Sequence, residues 1–376
     1  MLLTADTIVT GREVLRPGWI EVSGTSLAAI GSGDPPGVVD AALGPVTVVP
    51  GFVDTHVHGG AGFDFSTADV DGVATAVAFH RRHGTTTLVA SLVTLDPAEL
   101  AHRVELLAWL VRDGLIAGVH LEGPWLSTQR CGAHDPALLR DPDPGELDRV
   151  FSLGGDAVRM ITFAPERPGA IDAIRRTVAS GAVAAVGHTE STYEQTCAAI
   201  SSGATVATHL FNAMRPIHHR EPGPIVALLD DPRVTVELIC DGVHVNAALY
   251  RHILKHVGER RISLITDAMA AAGKPDGRYR IGGLAVDVVD HVARVSGTET
   301  IAGSTATMDR VFRYSVTHSG FSRDAAIALA VQQTSINPAL ALGLPSPELR
   351  DGGPANLVVL NTQLGVEGVL HNGSWV

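Results

Sequence analysis

The sequence is poor in cysteine, in aromatic residues and in charge, and these shortages exclude several classes of protein. Its three cysteines, Cys131, Cys197 and Cys240, are widely spaced and include no CxxC pair, which argues against a disulfide framework or a thiolate zinc site. Charged residues make up 18% and hydrophobic residues 45% of the chain, so neither a disordered protein nor a coiled coil is expected. The composition therefore indicates a globular protein of a reducing compartment.

The chain also lacks an excess of positive charge and a long apolar run. It has 28 lysines and arginines against 40 aspartates and glutamates, a net charge of −12, which excludes a general nucleic-acid binder with a basic face. No stretch reaches the ~18 apolar residues of a membrane helix. The N-terminal segment places Asp6, Arg12 and Glu13 where a secretion signal needs an apolar run. We therefore expect a cytoplasmic protein.

From residue 45 onward, short β-branched runs alternate with breaks and with longer segments of helical spacing. This alternation is typical of parallel βα units. Eight candidate strands end near the following residues: His56, Thr94, Glu122, Pro165, His188, His209, Asp241 and Asp267. Eight units predict a (β/α)8 TIM-type barrel, in which the loops after the strands build the active site. A doubly wound open sheet is the structural alternative, but it would normally use fewer strands.

The two ends of the chain differ from this central region. Residues 1–48 and 344–376 contain short alternating runs separated by turns. Neither end has the length to form a core alone, so we predict that both ends together form a small β-sandwich domain. The barrel is then expected to span residues 49–343, with a β-hairpin insertion around 279–297.

Side chains with metal-ligand chemistry stand at five of the predicted strand ends. The six residues are His56, His58, Glu122, His188, His209 and Asp267. His56 and His58 are two residues apart, so both imidazoles face the same side of a strand. The carboxyl ends of barrel strands meet at one face, which brings the other four side chains to the same place. Zinc, iron, manganese and cobalt all accept such nitrogen and oxygen ligands.

The number of ligands indicates how many metal ions are bound. Six protein ligands exceed the three that a single catalytic zinc usually takes. We therefore expect two divalent ions that share Glu122, with zinc as the first candidate, in a centre that activates water for hydrolysis. His120, two residues before Glu122, either supports this centre from behind or belongs to the packing.

Six short motifs follow one another at the predicted strand ends: VDTHVHGG, HLEGPW, GHT, THLFNAM, DGVH and TDAM. In this order they resemble the amidohydrolase superfamily and, more specifically, its N-acetylglucosamine-6-phosphate deacetylase family. The resemblance covers nearly the whole chain, up to the segment GGPANLVVL. It implies a metal-dependent hydrolase that converts N-acetylglucosamine 6-phosphate to glucosamine 6-phosphate and acetate, in amino-sugar metabolism or cell-wall recycling.

The resemblance also implies roles for individual residues. Asp267 would be the catalytic acid and base, which takes a proton from water and later delivers it to the leaving amine. Arg220 would bind the phosphate in the neighbouring subunit of a homodimer, and the basic run around it suits a phosphate dianion. The other implied substrate contacts are Ala133, His134, Asn212, Ala213, His244, Ile301, Ala302 and Gly303.

Several alternatives stay open at this point. Some members of the family carry glutamine in place of His58 and hold one metal, whereas the histidine favours two. A cyclic amidase or a dipeptidase commonly bridges its metals with a carboxylated lysine, but Lys255 and Lys274 are the lysines of this chain and neither ends an early strand. A non-catalytic sugar-phosphate-binding relative would be expected to lack a ligand or Asp267. Cys131 is either an incidental thiol or an oxidation-sensitive lid residue.

Overall fold

The computed structural model describes residues 1–376, and its first seven strands are short. They are β1 (Leu2–Ala5), β2 (Thr7–Val9), β3 (Val14–Leu15), β4 (Gly18–Ser23), β5 (Ser26–Ser32), β6 (Ala41–Ala42) and β7 (Thr47–Pro50). β5, β4, β1 and β6 form one sheet in that order. β7, β2 and β3 belong to a second sheet, which strands from the other end of the chain complete.

The next ten strands contain the barrel. They are β8 (Phe52–Val57), β9 (Gly59–Gly60), β10 (Phe63–Asp64), β11 (Thr85–Leu92), β12 (Gly118–Glu122), β13 (Val158–Phe163), β14 (Val183–Val186), β15 (Ala204–Ala207), β16 (Thr235–Ile239) and β17 (Ile262–Ile265). β8 and β11 to β17 form one eight-stranded parallel sheet in chain order, whereas β9 and β10 form a separate hairpin. The predicted barrel is confirmed, and a strand lies at each of the eight predicted positions.

The first and last barrel strands meet just beyond the end of β17. The Asp267 N–H donates to the His56 carbonyl oxygen at 2.9 Å, and the His58 N–H donates to the Ala268 carbonyl oxygen at 2.8 Å. A parallel bridge also joins Val57 to Ala268. Backbone groups of three predicted metal ligands therefore close the barrel.

Helices connect most of the barrel strands. They are α1 (Val70–Arg82), α2 (Pro97–Arg112), α3 (Pro144–Gly154), α4 (Ala170–Ala179), α5 (Tyr193–Ser201), α6 (Gly223–Asp230), α7 (Ala247–Val257), α8 (Met308–His318), α9 (Arg323–Val331) and α10 (Asn337–Ala341). Asp69, Asp96 and Asp143 begin α1, α2 and α3, and their side chains accept backbone N–H groups of the first turn. None of the helices has both the length and the apolar character that crossing a bilayer requires.

The insertion after the eighth barrel strand is larger than expected. It contains three antiparallel strands, β18 (Gly277–Ile281), β19 (Leu284–Val289) and β20 (Val292–Val295), rather than a two-stranded hairpin. The third strand buries Ala293 in an apolar cluster with Val286 and Met269, and Met269 lies just beyond β17. This cluster holds the insertion against the mouth of the barrel.

The last three strands join the beginning of the chain. β21 (Leu357–Leu360) runs antiparallel to β7 with Val358 opposite Val49, and β22 (Val366–His371) and β23 (Ser374–Trp375) extend the same sheet. Between the two terminal sheets lies a separate core that includes Leu3 and Leu370. Both ends of the chain therefore contribute strands and core residues here, while the exact domain limits stay a prediction.

A buried carboxylate links the first helix to the eighth. Asp309 accepts hydrogen bonds from Thr307 Oγ1 at 2.5 Å and from Arg313 Nη1 at 2.9 Å, and its Oδ1 atom is 3.3 Å from His83 Nδ1. Burial raises the pKa of Asp309, but His83, Thr307 and Arg313 lower it to about 2.

We predict that Asp309→Asn lowers the free energy of unfolding at pH 7 by about 2 kcal/mol, because a pKa lowered from 3.8 to about 2 corresponds to that energy. The native carboxylate contributes this stability above pH 4 and loses it as the pH falls towards 2. Urea unfolding followed by tryptophan fluorescence measures the effect, with Asp34→Asn at an exposed position as control. An equal loss of stability at pH 7 and near pH 3 would contradict the prediction.

Candidate active site

Glu122, the last residue of β12, lies at the centre of a cluster of imidazoles. Its Oε1 atom is 2.8 Å from His209 Nε2 and 3.1 Å from His188 Nε2. Its Oε2 atom is 3.0 Å from His58 Nε2, and His56 Nε2 lies 3.4 Å from Oε1. Glu122 is 3% exposed. The Nε2 atoms of four predicted ligands thus converge on a carboxylate that is buried.

Asp267 completes the cluster on the side of His56 and His58. Its Oδ1 atom is 3.3 Å from His58 Nε2 and 3.6 Å from His56 Nε2. The structure thus brings all six sequence-predicted ligands together. They form two halves that share Glu122: one contains His56, His58 and Asp267, and the other contains His188 and His209.

The donor atoms of this cluster fit divalent metal ions. The two Nε2 atoms of each half are 3.1 Å apart for His56 and His58, and 3.0 Å apart for His188 and His209. Two unprotonated imidazole nitrogens repel each other at such distances unless they share a cation. His56, His58 and Glu122 offer three ligand atoms within 4.8 Å of one another. Nitrogen and carboxylate oxygen are the donors that zinc and similar ions accept.

The charges of the cluster also favour bound cations. Burial lowers the pKa of His58, but hydrogen bonds to Asp267 and Glu122 raise it to about 9. Burial also lowers the pKa of His56, but the same two carboxylates raise it well above its ordinary value. Burial raises the pKa of Asp267, but His56 and His58 bring it below its usual range. The buried carboxylates therefore stabilise positive charge at the Nε2 atoms.

Two of the imidazoles are oriented through their Nδ1 atoms. His188 Nδ1 donates to the Arg130 carbonyl oxygen at 2.9 Å. His56 Nδ1 lies 3.4 Å from Oε2 of Glu237, a buried residue of β16. A proton on Nδ1 leaves the Nε2 lone pair free for a metal ion. Glu237 is not among the sequence-predicted site residues, although a charged residue inside the apolar run VTVELI was an available signal.

A chain of hydrogen bonds lies behind the cluster. His120 Nδ1 is 3.0 Å from Ser91 Oγ, and His120 Nε2 is 2.8 Å from Thr162 Oγ1, which lies 2.9 Å from Thr208 Oγ1. The His120 ring packs edge-on against His56, with 4.6 Å between the ring centroids. Of the two interpretations that the sequence left open, the structure therefore favours a supporting position behind the site.

A pocket of about 500 Å³ opens in front of the cluster. Seven of the predicted substrate contacts line it: Ala133, His134, Asn212, Ala213, His244, Ile301 and Gly303. Ala302 does not line the pocket, because it packs in the apolar cluster beneath the insertion. Arg220 is exposed and does not line the pocket of its own chain. Gln129, Arg130 and Cys131 also line the pocket. Gln129 and Arg130 were not predicted as site residues, because they lie outside the six motifs.

His244 is held by Asp241, which lies just beyond β16. Its Nδ1 atom is 2.8 Å from Asp241 Oδ2, and Asp241 Oδ1 accepts the backbone N–H groups of Val243 and His244. Burial lowers the pKa of His244, but the bond to Asp241 raises it above its ordinary value. The raised pKa favours a positively charged ring on the pocket wall, which suits an anionic or carbonyl oxygen.

The backbone turns sharply at three of the predicted ligands. His188, His209 and Asp267 have positive φ values of 48°, 28° and 50°. Such conformations cost on the order of 1 to 3 kcal/mol each and persist where the surrounding contacts fix them. Gly303, beside Asp267, also has a positive φ of 60°, and a Cβ there would lie 2.8 Å from the Asp267 carbonyl oxygen. These turns direct the ligand side chains into the barrel mouth directly after the strands.

Comparison with known proteins finds a matching family model and relatives of similar length. The family model for the amidohydrolase family matches residues 47–376. An N-acetylgalactosamine-6-phosphate deacetylase of Escherichia coli O157:H7 is 37% identical over 337 residues, 86% of this chain and 86% of the relative. An N-acetylglucosamine-6-phosphate deacetylase of Danio rerio is also 37% identical over 337 residues, 85% of this chain and 81% of the relative.

A solved structure is similar over the whole chain. It is the N-acetyl-D-glucosamine-6-phosphate deacetylase D267A mutant from Mycobacterium smegmatis in complex with N-acetyl-D-glucosamine-6-phosphate. The two proteins are 62% identical with a TM-score of 0.99, and the match covers 100% of this chain and 98% of the other.

We predict that Glu237→Gln weakens binding of zinc, used as a probe ion, by about tenfold, because outer carboxylates that orient ligand imidazoles typically contribute 10- to 100-fold to metal affinity. Competition with a chromogenic chelator measures the affinity. Glu105→Gln, the same change at an exposed position of α2, is the matched control. Equal zinc affinities of the two variants would show that Glu237 does not orient His56.

Proposed function

The chain belongs to the amidohydrolase family, and we propose that it is a metal-dependent deacetylase of N-acetylglucosamine 6-phosphate. The products are glucosamine 6-phosphate and acetate, a reaction of amino-sugar metabolism and cell-wall recycling. The observation that carries this proposal is the cluster of four imidazoles and Asp267 around the buried carboxylate of Glu122, placed at the base of a pocket of about 500 Å³.

Two divalent metal ions per subunit, with zinc as the first candidate, correspond to the two halves of the cluster. His56, His58 and Asp267 would hold one ion, His188 and His209 would hold the other, and Glu122 would contact both. When bound, such ions lower the pKa of water towards about 7 and polarise a carbonyl oxygen.

Asp267 is the residue that moves the proton. Its pKa lies below the usual range, so it is a carboxylate at neutral pH and acts first as a base. It takes a proton from the attacking water while the new C–O bond forms at the acetyl carbon. It then gives this proton to the amide nitrogen, so that the C–N bond breaks and a neutral amine leaves.

The pocket wall supplies the substrate contacts. The ring of His244, whose pKa the bond to Asp241 raises against the effect of burial, is placed to bind an oxygen of the sugar phosphate or of the acetyl group. The side chain of Asn212 is fixed by a hydrogen bond, because its Nδ2 atom donates to the His209 carbonyl oxygen at 3.1 Å. Ala133 and His134, in the loop after β12, line the same pocket as Asn212 and would also contact the sugar phosphate.

The geometry argues against the other functions that the sequence left open. Lys255 and Lys274 are both exposed and neither lines the pocket, so a carboxylated lysine has no place in this centre. Glu122 occupies the bridging position instead. A non-catalytic relative is disfavoured because all six ligands, Asp267 included, converge with ligand-compatible distances.

The relative from Escherichia coli O157:H7 is an N-acetylgalactosamine-6-phosphate deacetylase, so N-acetylgalactosamine 6-phosphate is a second candidate substrate. It differs from N-acetylglucosamine 6-phosphate in the configuration of one hydroxyl group. The test is acetate release by purified protein from each of the two sugar phosphates and from unphosphorylated N-acetylglucosamine. A chelated sample and a metal-restored sample are run in parallel. Metal-dependent release from N-acetylglucosamine 6-phosphate, and not from the unphosphorylated sugar, is expected. No release from any of them would refute the proposal.

We predict that Asp267→Ala lowers kcat by about 10²- to 10⁴-fold, the usual contribution of a general acid and base. The variant keeps its circular dichroism spectrum and its binding of the sugar phosphate in a calorimetric titration, because the other residues that line the pocket are unchanged. Asp34→Ala, at an exposed position, serves as control. Full activity of Asp267→Ala would remove this residue from the mechanism.

We further propose that the protein is a homodimer in which Arg220 binds the phosphate of the neighbouring subunit's substrate. Arg220 is exposed, and its guanidinium contacts the ring of His219 at 2.7 Å rather than its own pocket. Ile217, in the same loop, exposes 54% of its surface, which is consistent with a covered position in an assembly.

We predict that Arg220→Ala raises KM about tenfold or more with little change in kcat, because a phosphate contact remote from the amide acts as binding energy. Mixing unfolded or dissociated Arg220→Ala and Asp267→Ala subunits and reassembling them tests the position. A hybrid dimer holds one site with Asp267 from one chain and Arg220 from the other, so activity at low substrate concentration returns. If Arg220 acts within its own chain, the mixture shows no such recovery.

A further inference from the structure

His134 lies close enough to the metal cluster to act in two different ways. Its Nε2 atom is 3.3 Å from Glu122 Oε2, and its ring packs edge-on against His188 with 4.6 Å between the centroids. Glu122, His134 and His188 offer three ligand atoms within 4.8 Å of one another. Distance alone therefore allows His134 to be either a metal ligand through Nε2 or a hydrogen-bond donor through an Nε2 proton.

The other nitrogen of the ring distinguishes these two possibilities. The backbone N–H of Thr94 points at His134 Nδ1 at 3.1 Å, and the Thr94 hydroxyl oxygen lies 2.9 Å from the same atom. A backbone N–H donates and never accepts, so His134 Nδ1 must present its lone pair. An imidazole with an unprotonated Nδ1 carries its single proton on Nε2. The geometry thus excludes the doubly protonated ring as well.

His188 shows the opposite arrangement in the same cluster. Its Nδ1 atom faces the Arg130 carbonyl oxygen, which accepts and never donates. The Nδ1 of His188 is therefore protonated, and its Nε2 lone pair is available to a metal ion. Two neighbouring imidazoles with similar distances to Glu122 are thus given different chemistry by their backbone partners.

We propose that Thr94 is a positioning residue that fixes His134 as an Nε2–H donor, which keeps the ring out of the metal-ligand set and directs its proton towards the reacting acetyl group. The part about the acetyl group rests on the proposed function, whereas the part about metal binding does not. Thr94 is buried and lies two residues beyond β11, whereas His134 lies in the loop that follows β12. The donor therefore depends on the packing of that loop against the end of β11.

The first experiment counts metal ions without any reaction. Wild type, His134→Ala and His188→Ala are stripped with a chelator, reloaded with zinc, dialysed and measured by plasma mass spectrometry. We expect His134→Ala to keep the wild-type number of zinc ions per subunit, and His188→Ala to lose zinc. A loss in His134→Ala equal to that in His188→Ala would overturn the proposal, since it would make His134 a ligand.

The second experiment changes the hydroxyl that holds the ring. Thr94→Val keeps the shape of the side chain and removes one of the two hydrogen bonds to His134 Nδ1, so we expect kcat to fall about tenfold, with KM within about twofold and with full zinc content. Thr94→Ser, which retains the hydroxyl, should recover most of the lost kcat. Thr86→Val is the matched control, because Thr86 is buried on β11 and its hydroxyl has no hydrogen-bond partner in the structure.

The outcomes separate this proposal from the proposed function. Thr94→Val keeps the backbone N–H, so equal kcat values for Thr94→Val and Thr86→Val, or failure of Thr94→Ser to recover activity, would overturn the positioning role of the Thr94 hydroxyl. If the wild type releases no acetate, the proposed function fails, and the zinc count of His134→Ala still decides whether this ring is a ligand. If Thr94→Val does not fold, Thr94→Ala, which also removes the hydroxyl, takes its place in the comparison with Thr94→Ser.

Discussion

The arrangement of this protein depends on a single buried carboxylate, that of Glu122. Glu122 is only 3% exposed, and a buried charge is unfavourable in a protein interior unless partners compensate it. Here five imidazole nitrogens, that of His134 included, lie within 3.4 Å of its two oxygens. These imidazoles come from four segments of the chain, which are the end of β8, the loop after β12 and the ends of β14 and β15. The barrel must therefore close for the charge to be compensated. The same carboxylate lies between the two halves of the cluster, which makes it the one group that both proposed metal ions contact. The imidazoles that compensate the buried charge of Glu122 therefore include the residues proposed to bind the metal ions.

The surroundings of the cluster keep its members in place. Behind it, His120 is held at both ring nitrogens by Ser91 and Thr162, and its ring packs against His56. Beside it, the carboxyl group of Asp54 accepts the hydroxyl of Thr266 at 2.6 Å. These groups are buried and each has a hydrogen-bond partner within the protein, so each of them has a defined orientation. Side chains fixed in this way on strands are positioned more exactly than side chains on mobile loops. This suits a reaction that needs the nucleophile, the proton carrier and the amide in fixed relative positions.

Much of this architecture was predictable because two periodicities are visible in the sequence. The alternation of strand and helix patterns predicted the barrel, and polar residues at the ends of apolar runs predicted His56, Glu122, His188, His209 and Asp267 as neighbours. The third strand of the insertion and the packing of Ala302 were not predictable, because small apolar residues carry no signal of the direction in which they point. Glu237 was visible as an isolated charge, but its partner His56 lies 181 residues away. The protonated nitrogen of His134 was out of reach for a different reason. The position of this proton depends on the backbone N–H of Thr94, and a sequence does not show where a backbone group points.

The left-handed backbone at His188, His209 and Asp267 bears on how this site tolerates replacement during evolution. Asparagine, aspartate and glycine adopt positive φ values more easily than other residues, whereas valine and isoleucine strongly resist them. An exchange of a ligand for a short polar residue therefore leaves the strand ends in place and changes only the donor atoms. An exchange for a β-branched residue disturbs the backbone and the donor atoms together. At these three positions the backbone therefore accepts a few short polar residues and resists larger branched ones.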